Sequence, residues 1–255
     1  MKKYELTAEF IEQCGKKLFR IKALISFGSV EAGELGGYVE KEDNLAQDGD
    51  AWVCDDAWVY GDARVYGNAW VCDDAEVYGD AWVYGNARVC DDAEVCGDAW
   101  VYGDAKVYDD ARVCGDAWVY GDAKVYGDAR VCGNARVCDN ARVYGDAWVY
   151  GNARVYGDAW VCGNARVCDD ADCLLIGRIG SRFSFTTFFK NKDKGITVSC
   201  GCFLGTIAEF RAKVTDTHGN NKHAKMYNLA ANMAELQILG EEYFDKLNTN
   251  KSEPF

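Results

Sequence analysis

Residues 71–124 read VCDDAEVYGDAWVYGNAR, VCDDAEVCGDAWVYGDAK and VYDDARVCGDAWVYGDAK, three consecutive blocks of 18. The first two blocks share 15 of 18 positions, and the second and third share 16. Each block also divides into three hexads of the form Gly/Asp–Asp/Asn–Ala–x–Val–Tyr/Cys. These hexads run unbroken from Gly49 to Cys168, 20 in all, with Ala third and Val fifth in every one. Side chains alternate along a strand, so Ala and Val share one face and the variable residue between them points the other way. The Gly/Asp–Asp/Asn pair that follows tolerates left-handed backbone and turns the chain. Each hexad is a short strand plus a corner, and a fixed period of this kind marks a solenoid.

The longer period sets the number of sides. Asp55, Asp73, Asp91 and Asp109 replace the corner Gly at spacings of 18, and Trp82, Trp100 and Trp118 recur at the same interval. Three hexads per coil place such residues one above another, about 4.8 Å apart. The chain is therefore expected to be an all-β solenoid, a triangular parallel β-helix of 18 residues per coil with an Ala/Val interior, over residues 29–173. Residues 1–28 are expected to form a strand-containing N-terminal cap, because an end coil exposes ladder edges. Val39 and Leu45 fall on the Ala phase of the repeat, which starts the first coil near Val30. Residues 174–255 read as a small α+β domain, with strands at 183–190 and 195–203. Thr206 and Glu209 have capping-box spacing ahead of one helix, and 221–247 read as one or two more.

Hydrophobic content of 49% and charged content of 27% are those of a globular protein. No apolar run approaches the ~20 residues of a membrane span, and no signal core follows Met1, so the expected location is the cytoplasm with no membrane partner. Nine of the 13 cysteines sit at one repeat position where Tyr substitutes, which reads as reduced thiols. The net charge is −13, with 21 acidic and 10 basic side chains between Gly49 and Cys168. That balance argues against direct nucleic-acid binding, which needs a basic footprint.

Repeats such as Val53–Cys54–Asp55–Asp56–Ala57–Trp58 resemble the hexapeptide repeats of left-handed parallel β-helix proteins, the LpxA-like superfamily. The stretch GGYVEKEDNL at 36–45, the repeat and the tail with Cys200–Gly201–Cys202 together resemble uncharacterised YdcK-like proteins of bacteria and phages. The superfamily resemblance implies left-handedness and, as an alternative activity, acyl transfer from acetyl-coenzyme A. Its enzymes generally place a His general base beside the coil. Here the repeat holds no His; the two histidines are His218 and His223, in a Gly/Asn-rich stretch that reads as a solvated connector.

Information is concentrated on the outward positions. Sorted by side, Arg88, Lys106, Lys124 and Arg142 form a basic stripe, and Trp82, Trp100 and Trp118 form an indole ladder. An exposed ladder of that kind would meet a protein partner, the C-terminal helices or a second copy, in a dimer or trimer. The Asp55, Asp73, Asp91 and Asp109 row reads either as turn chemistry or as oxygen ligands for calcium. Stacked cysteines, Cys54/Cys72/Cys90 and Cys96/Cys114/Cys132, read as surface packing or as soft-metal ligands. Three functional classes follow: a non-catalytic scaffold without a cofactor, an acyltransferase using His218 or His223 and acetyl-coenzyme A, and an acidic mimic of nucleic acid.

Overall fold

The computed structural model describes residues 2–241. Twenty coil strands, β4 (Trp52–Val53) to β23 (Arg166–Val167), follow β1 (Tyr4–Gln13), β2 (Lys16–Ala23) and β3 (Leu35–Val39). They assort into three parallel sheets that take every third strand, the arrangement an 18-residue coil requires. Arg88 pairs with Lys106, Glu94 with Arg112 and Trp100 with Trp118, and Val stands opposite Val on each side. Every Ala and Val of the hexads is buried at 1% exposure or less and joins one continuous core. The small interior pair lets three walls approach closely, while turn residues take the corners.

Those corners explain the Asp row. Asp55, Asp73, Asp91, Asp109 and also Asp139 have φ between 56° and 60°, the left-handed region that glycine occupies at the remaining corners. A Cβ added at Gly103 would lie 2.9 Å from the Gly121 nitrogen on the next rung. Asp turns that crowding into a bond: the Asp73 carboxylate accepts from Asp91 N–H at 3.3 Å, and Asp109 accepts from Gly127 N–H at 2.9 Å.

The coils are joined by a parallel ladder in which Trp100 N–H donates to Ala117 C=O and Tyr102 N–H to Val119 C=O of the following coil. The end coils leave backbone groups of this ladder without a neighbouring strand, and these must find partners when covered. At the first end Lys3, 2% exposed, extends its ammonium to the carbonyls of Asp48, Gly49 and Ala51, the last at 2.9 Å. Burial pulls the Lys3 pKa down to about 8. Asn44 donates to Gly61 and Ala63 carbonyls. At the other end side-chain oxygens take the amides: Asp170 accepts from Arg154, Thr187 from Trp160 and Asp172 from Cys168.

The β1–β2 hairpin and β3 extend one side into a 10-stranded sheet. Val39 stands opposite Val59, and Leu45 opposite Val65. Their spacing of 20 corrects the expected phase: both occupy the Val position, and two extra residues between Leu45 and Val53 restore the 18-residue register.

Past the prism, β24 (Cys173–Ile179), β25 (Ser184–Lys190), β26 (Ile196–Cys200) and β27 (Phe203–Thr206) form an antiparallel sheet. The repeat's decay at 172–174 hid β24, and the single expected strand at 195–203 is broken by Gly201, whose φ is +58°. Helix α1 (Ile207–His218) starts at the capping box, in which Thr206 accepts from Glu209 N–H. Helix α2 (Lys222–Leu239) follows; the part of the helical expectation beyond Glu241 lies outside the described residues. Asp172 ties sheet to prism, accepting from Lys190 at 2.7 Å and from the Cys168 thiol at 2.9 Å. Burial pushes its carboxyl up, but these donors outweigh that and hold it below the usual carboxylate value.

A mutant pair at one corner tests the interstrand bond. Gly103→Ala is expected to lower the urea midpoint, and Gly103→Asp to recover about 1 kcal/mol of the loss by accepting from the next rung. Equal losses would remove that bond as the reason for Asp at corners.

Candidate functional site

The outward rows are assembled as the period requires, but their chemistry differs from that of a free apolar face. Trp82, Trp100 and Trp118 stack with centroids 5.3 and 5.4 Å apart and planes within 14° of parallel. The column is closed at both ends by guanidinium groups, Arg64 over Trp82 at 5.4 Å and Arg136 over Trp118 at 4.8 Å. A second column, Tyr66, Tyr84, Tyr102 and Tyr120, runs alongside and meets the indoles edge-on. All three indoles are half-buried, so the expected exposed ladder is corrected: the ring faces are spent on one another, and only edges reach solvent. Trp52 is fully buried beneath Tyr4 and Phe27, a cover the repeat alone could not reveal.

Arg88, Lys106, Lys124 and Arg142 do form one stripe, with Trp70 before Arg88 and Trp160 after Arg142 in the same sheet. Arg142 lies over the Trp160 ring at 4.9 Å. On the neighbouring side Arg112 pairs with Glu94 at 2.8 Å, so charges of both signs alternate around the prism. Asp73, Asp91 and Asp109 each accept from a backbone amide of the next rung, which is turn chemistry extended between coils.

The Tyr/Cys position behaves differently on each corner. Cys72 and Cys90, one rung apart, are joined as a disulfide, which overturns the reduced-thiol expectation for that pair. The other eleven cysteines are free. Within the Cys96–Cys114–Cys132 row, hydrogen bonding from Cys114 lowers the Cys132 thiol to about 7, against burial and with help from Arg130.

His218 and His223 are not in a loop as expected. His218 is the last residue of α1, and His223 lies in the first turn of α2 under an Asn221 cap. Their rings are 5.8 Å apart, and His218 also stacks on Tyr227 at 5.8 Å. His218 lines a cleft of about 230 Å³ with Arg182, Cys200, Lys213 and Tyr227. Burial pushes the Tyr227 hydroxyl up to about 12.

Sequence reasoning missed one surface. Helix α2 buries Ala224, Tyr227, Ala230, Ala231, Ala234 and Ile238 against the sheet and α1. Its other side exposes Met226, Leu229, Met233 and Leu236, between 40% and 63% accessible. These four follow the 3–4–3 spacing of a coiled-coil seam. The signal was in the sequence, but a helix with two apolar sides reads simply as a buried one.

Three parallel sheets wound on an Ala/Val core define a parallel β-solenoid with an α+β C-terminal unit. The YdcK Beta solenoid repeat family model matches residues 57–73, 105–121, 135–150 and 147–163, so the prism is similar to a YdcK-like solenoid. No curated protein matches the chain. Among the described residues no helix is long and apolar enough to cross a membrane.

Removing the middle indole tests whether the column is structural. Trp100→Ser deletes two stacked contacts and is expected to cost about 2 kcal/mol in urea unfolding. A neutral substitution would free the indoles for another role.

Proposed function

We propose that the protein is a non-catalytic β-solenoid scaffold that pairs with a second copy of itself through the outer side of α2. The observation that carries this reading is the exposed Met226–Leu229–Met233–Leu236 seam at heptad spacing. Apolar side chains in such a row lose stability to water unless a partner covers them. A second copy is a fitting occupant because the row is self-complementary. Set antiparallel about Ala231, Met226 faces Leu236 and Leu229 faces Met233. The polar residues beside the row are already engaged: Arg211 holds Asn228, Asn232 and Glu235, and Gln237 donates to Cys173 C=O.

Two features agree with a platform rather than a catalyst. The repeat is uninterrupted from Gly49 to Cys168, with no inserted loop to carry a base. Its outward columns are locked by stacking and cation–π contacts, which make the prism stiff. The three sides and the 18-residue coil also support assignment to the left-handed LpxA-like group. Eleven free cysteines support residence in a reducing cytoplasm, and the Cys72–Cys90 bridge counts against it.

The acyltransferase reading keeps one observation in its favour, the cleft in which His218 sits with Arg182 and Lys213, groups that suit an anionic ligand such as acetyl-coenzyme A. Thermal-shift binding of acetyl-coenzyme A, lost in His218→Ala, would replace the scaffold reading with this one. The acidic-mimic reading is weakened by the Arg88–Lys106–Lys124–Arg142 stripe.

Light scattering coupled to gel filtration tests the pairing. A seam this small is below the ~800 Å² per partner of standard interfaces, so the expected result is a dimer dissociating at micromolar concentration. Leu229→Glu with Met233→Glu should give a folded monomer at every concentration. A wild-type monomer throughout, or a dimer unaffected by both changes, would overturn the reading.

A further inference from the structure

The Tyr/Cys row is a repeat position whose side-chain chemistry changes from coil to coil while the ladder register stays the same. Tyr rings on consecutive rungs stack with centroids 4.8 to 5.0 Å apart in Tyr66–Tyr84–Tyr102–Tyr120 and 4.9 Å in Tyr126–Tyr144. On the third corner the stacked pair Tyr60–Tyr78 is followed by Cys96, Cys114 and Cys132, after which Tyr150 resumes. Three rungs thus forgo ring stacking, and packing alone returns nothing for it. Thiols in that place do bring a different capacity.

We propose that Cys96, Cys114 and Cys132 form a binding site for a soft monovalent d¹⁰ cation of the copper(I) or silver(I) type, held in line between sulfurs of successive rungs. Register places the three residues on one line: Val95 pairs with Val113 and Val113 with Val131. Cys96 N–H then donates to Val113 C=O and Cys114 N–H to Val131 C=O, each at 2.9 Å, which fixes the rung spacing under each thiol. That corner geometry brings sulfurs of adjacent rungs into reach of one another, as Cys72 and Cys90 demonstrate at the equivalent position on another corner, with Cα atoms 4.7 Å apart. All three thiols are free and half-buried.

The same geometry selects the kind of ion. Two metal–sulfur bonds of about 2.3 Å set in line span about 4.6 Å, close to the parallel-strand repeat of about 4.8 Å. Linear two-coordination by thiolates suits soft d¹⁰ cations. Tetrahedral zinc needs four ligands converging on a point, and a straight row cannot supply them. Calcium and magnesium demand oxygen cages, which sulfur does not replace. The middle thiol, Cys114, is shared by both intervals, so the row holds up to two ions. Each ion displaces thiol protons as its bonds to sulfur form. Around the row Tyr78 meets the Cys96 sulfur, and Glu94 is already paired with Arg112, which leaves sulfur the available donor.

The test uses the full chain, reduced and handled without oxygen, titrated with silver(I) against a tenfold excess of glutathione. Bound silver is measured after desalting, together with ultraviolet charge-transfer absorption. A pair of thiols on adjacent rungs acts at high effective concentration and outcompetes glutathione, whereas a single thiol does not. The expected result is that Cys114→Ser loses about two equivalents relative to wild type and Cys132→Ser about one. Cys138→Ser, a thiol standing alone after Tyr120 in another row, should lose none. Cys114→Tyr gives a second variant with a side chain native to this row, so loss of silver is separable from loss of fold. Any silver on Cys72 and Cys90 is common to all forms and cancels. Retention of wild-type silver by both Cys114 variants would overturn the site, as would an equal loss on Cys138→Ser.

Discussion

The structure rests on an in-register hydrogen-bond ladder between successive coils. Its outward residues donate to the coil that follows, as Trp100 does to Ala117 and Lys106 to Ala123. Such a stack satisfies itself in the middle and leaves unpaired backbone groups at its ends. Groups outside the repeat must therefore supply the missing partners. Lys3 and Asn44 are donors, and Asp170, Asp172 and Thr187 are acceptors. Lys3 is the extreme case: a lysine nearly without solvent, kept there by three carbonyls that have no coil beneath them.

The same ladder governs the surface. In-register stacking places like beside like every 18 residues, and the side chains answer according to their chemistry. Indoles and phenols gain by stacking, so the Trp82 and Tyr66 columns become internal cement. Carboxylates would repel, and the corner Asp residues avoid this by binding backbone amides on the next rung. Cations place themselves over neighbouring rings, as Arg130 does over Trp148 at 5.0 Å. A patterned surface that stacks well in this way spends its recognition chemistry on itself. Among the described residues, the one exposed apolar row at helical spacing lies instead on α2, outside the repeat; within the repeat Trp148 and Tyr156 are the exposed aromatic exceptions.

Much of the fold was legible in the residues. The two periods, 6 and 18, dictated strands, corners and three sides, and the pairings of Arg88 with Lys106 and Trp100 with Trp118 follow from them. The Thr206–Glu209 capping box located α1 for the same local reason. Legibility failed where the period broke. Val39 and Leu45 stand at multiples of six from Ala51, yet two extra residues moved them to the Val position. Strand β24 had no periodic neighbour to announce it.

Local chemistry repeated 20 times determined by itself the prism, its Ala/Val core and the order of residues along each column. A periodic chain repeats its own environment, so each rung predicts the next. Which columns stay open was decided only in three dimensions, by groups distant in sequence. Tyr4 and Phe27 buried Trp52, Arg64 and Arg136 closed the indole column, and the sheet claimed one side of α2 while leaving the other to water. Exposure is a property of what lies opposite, and no local pattern records that.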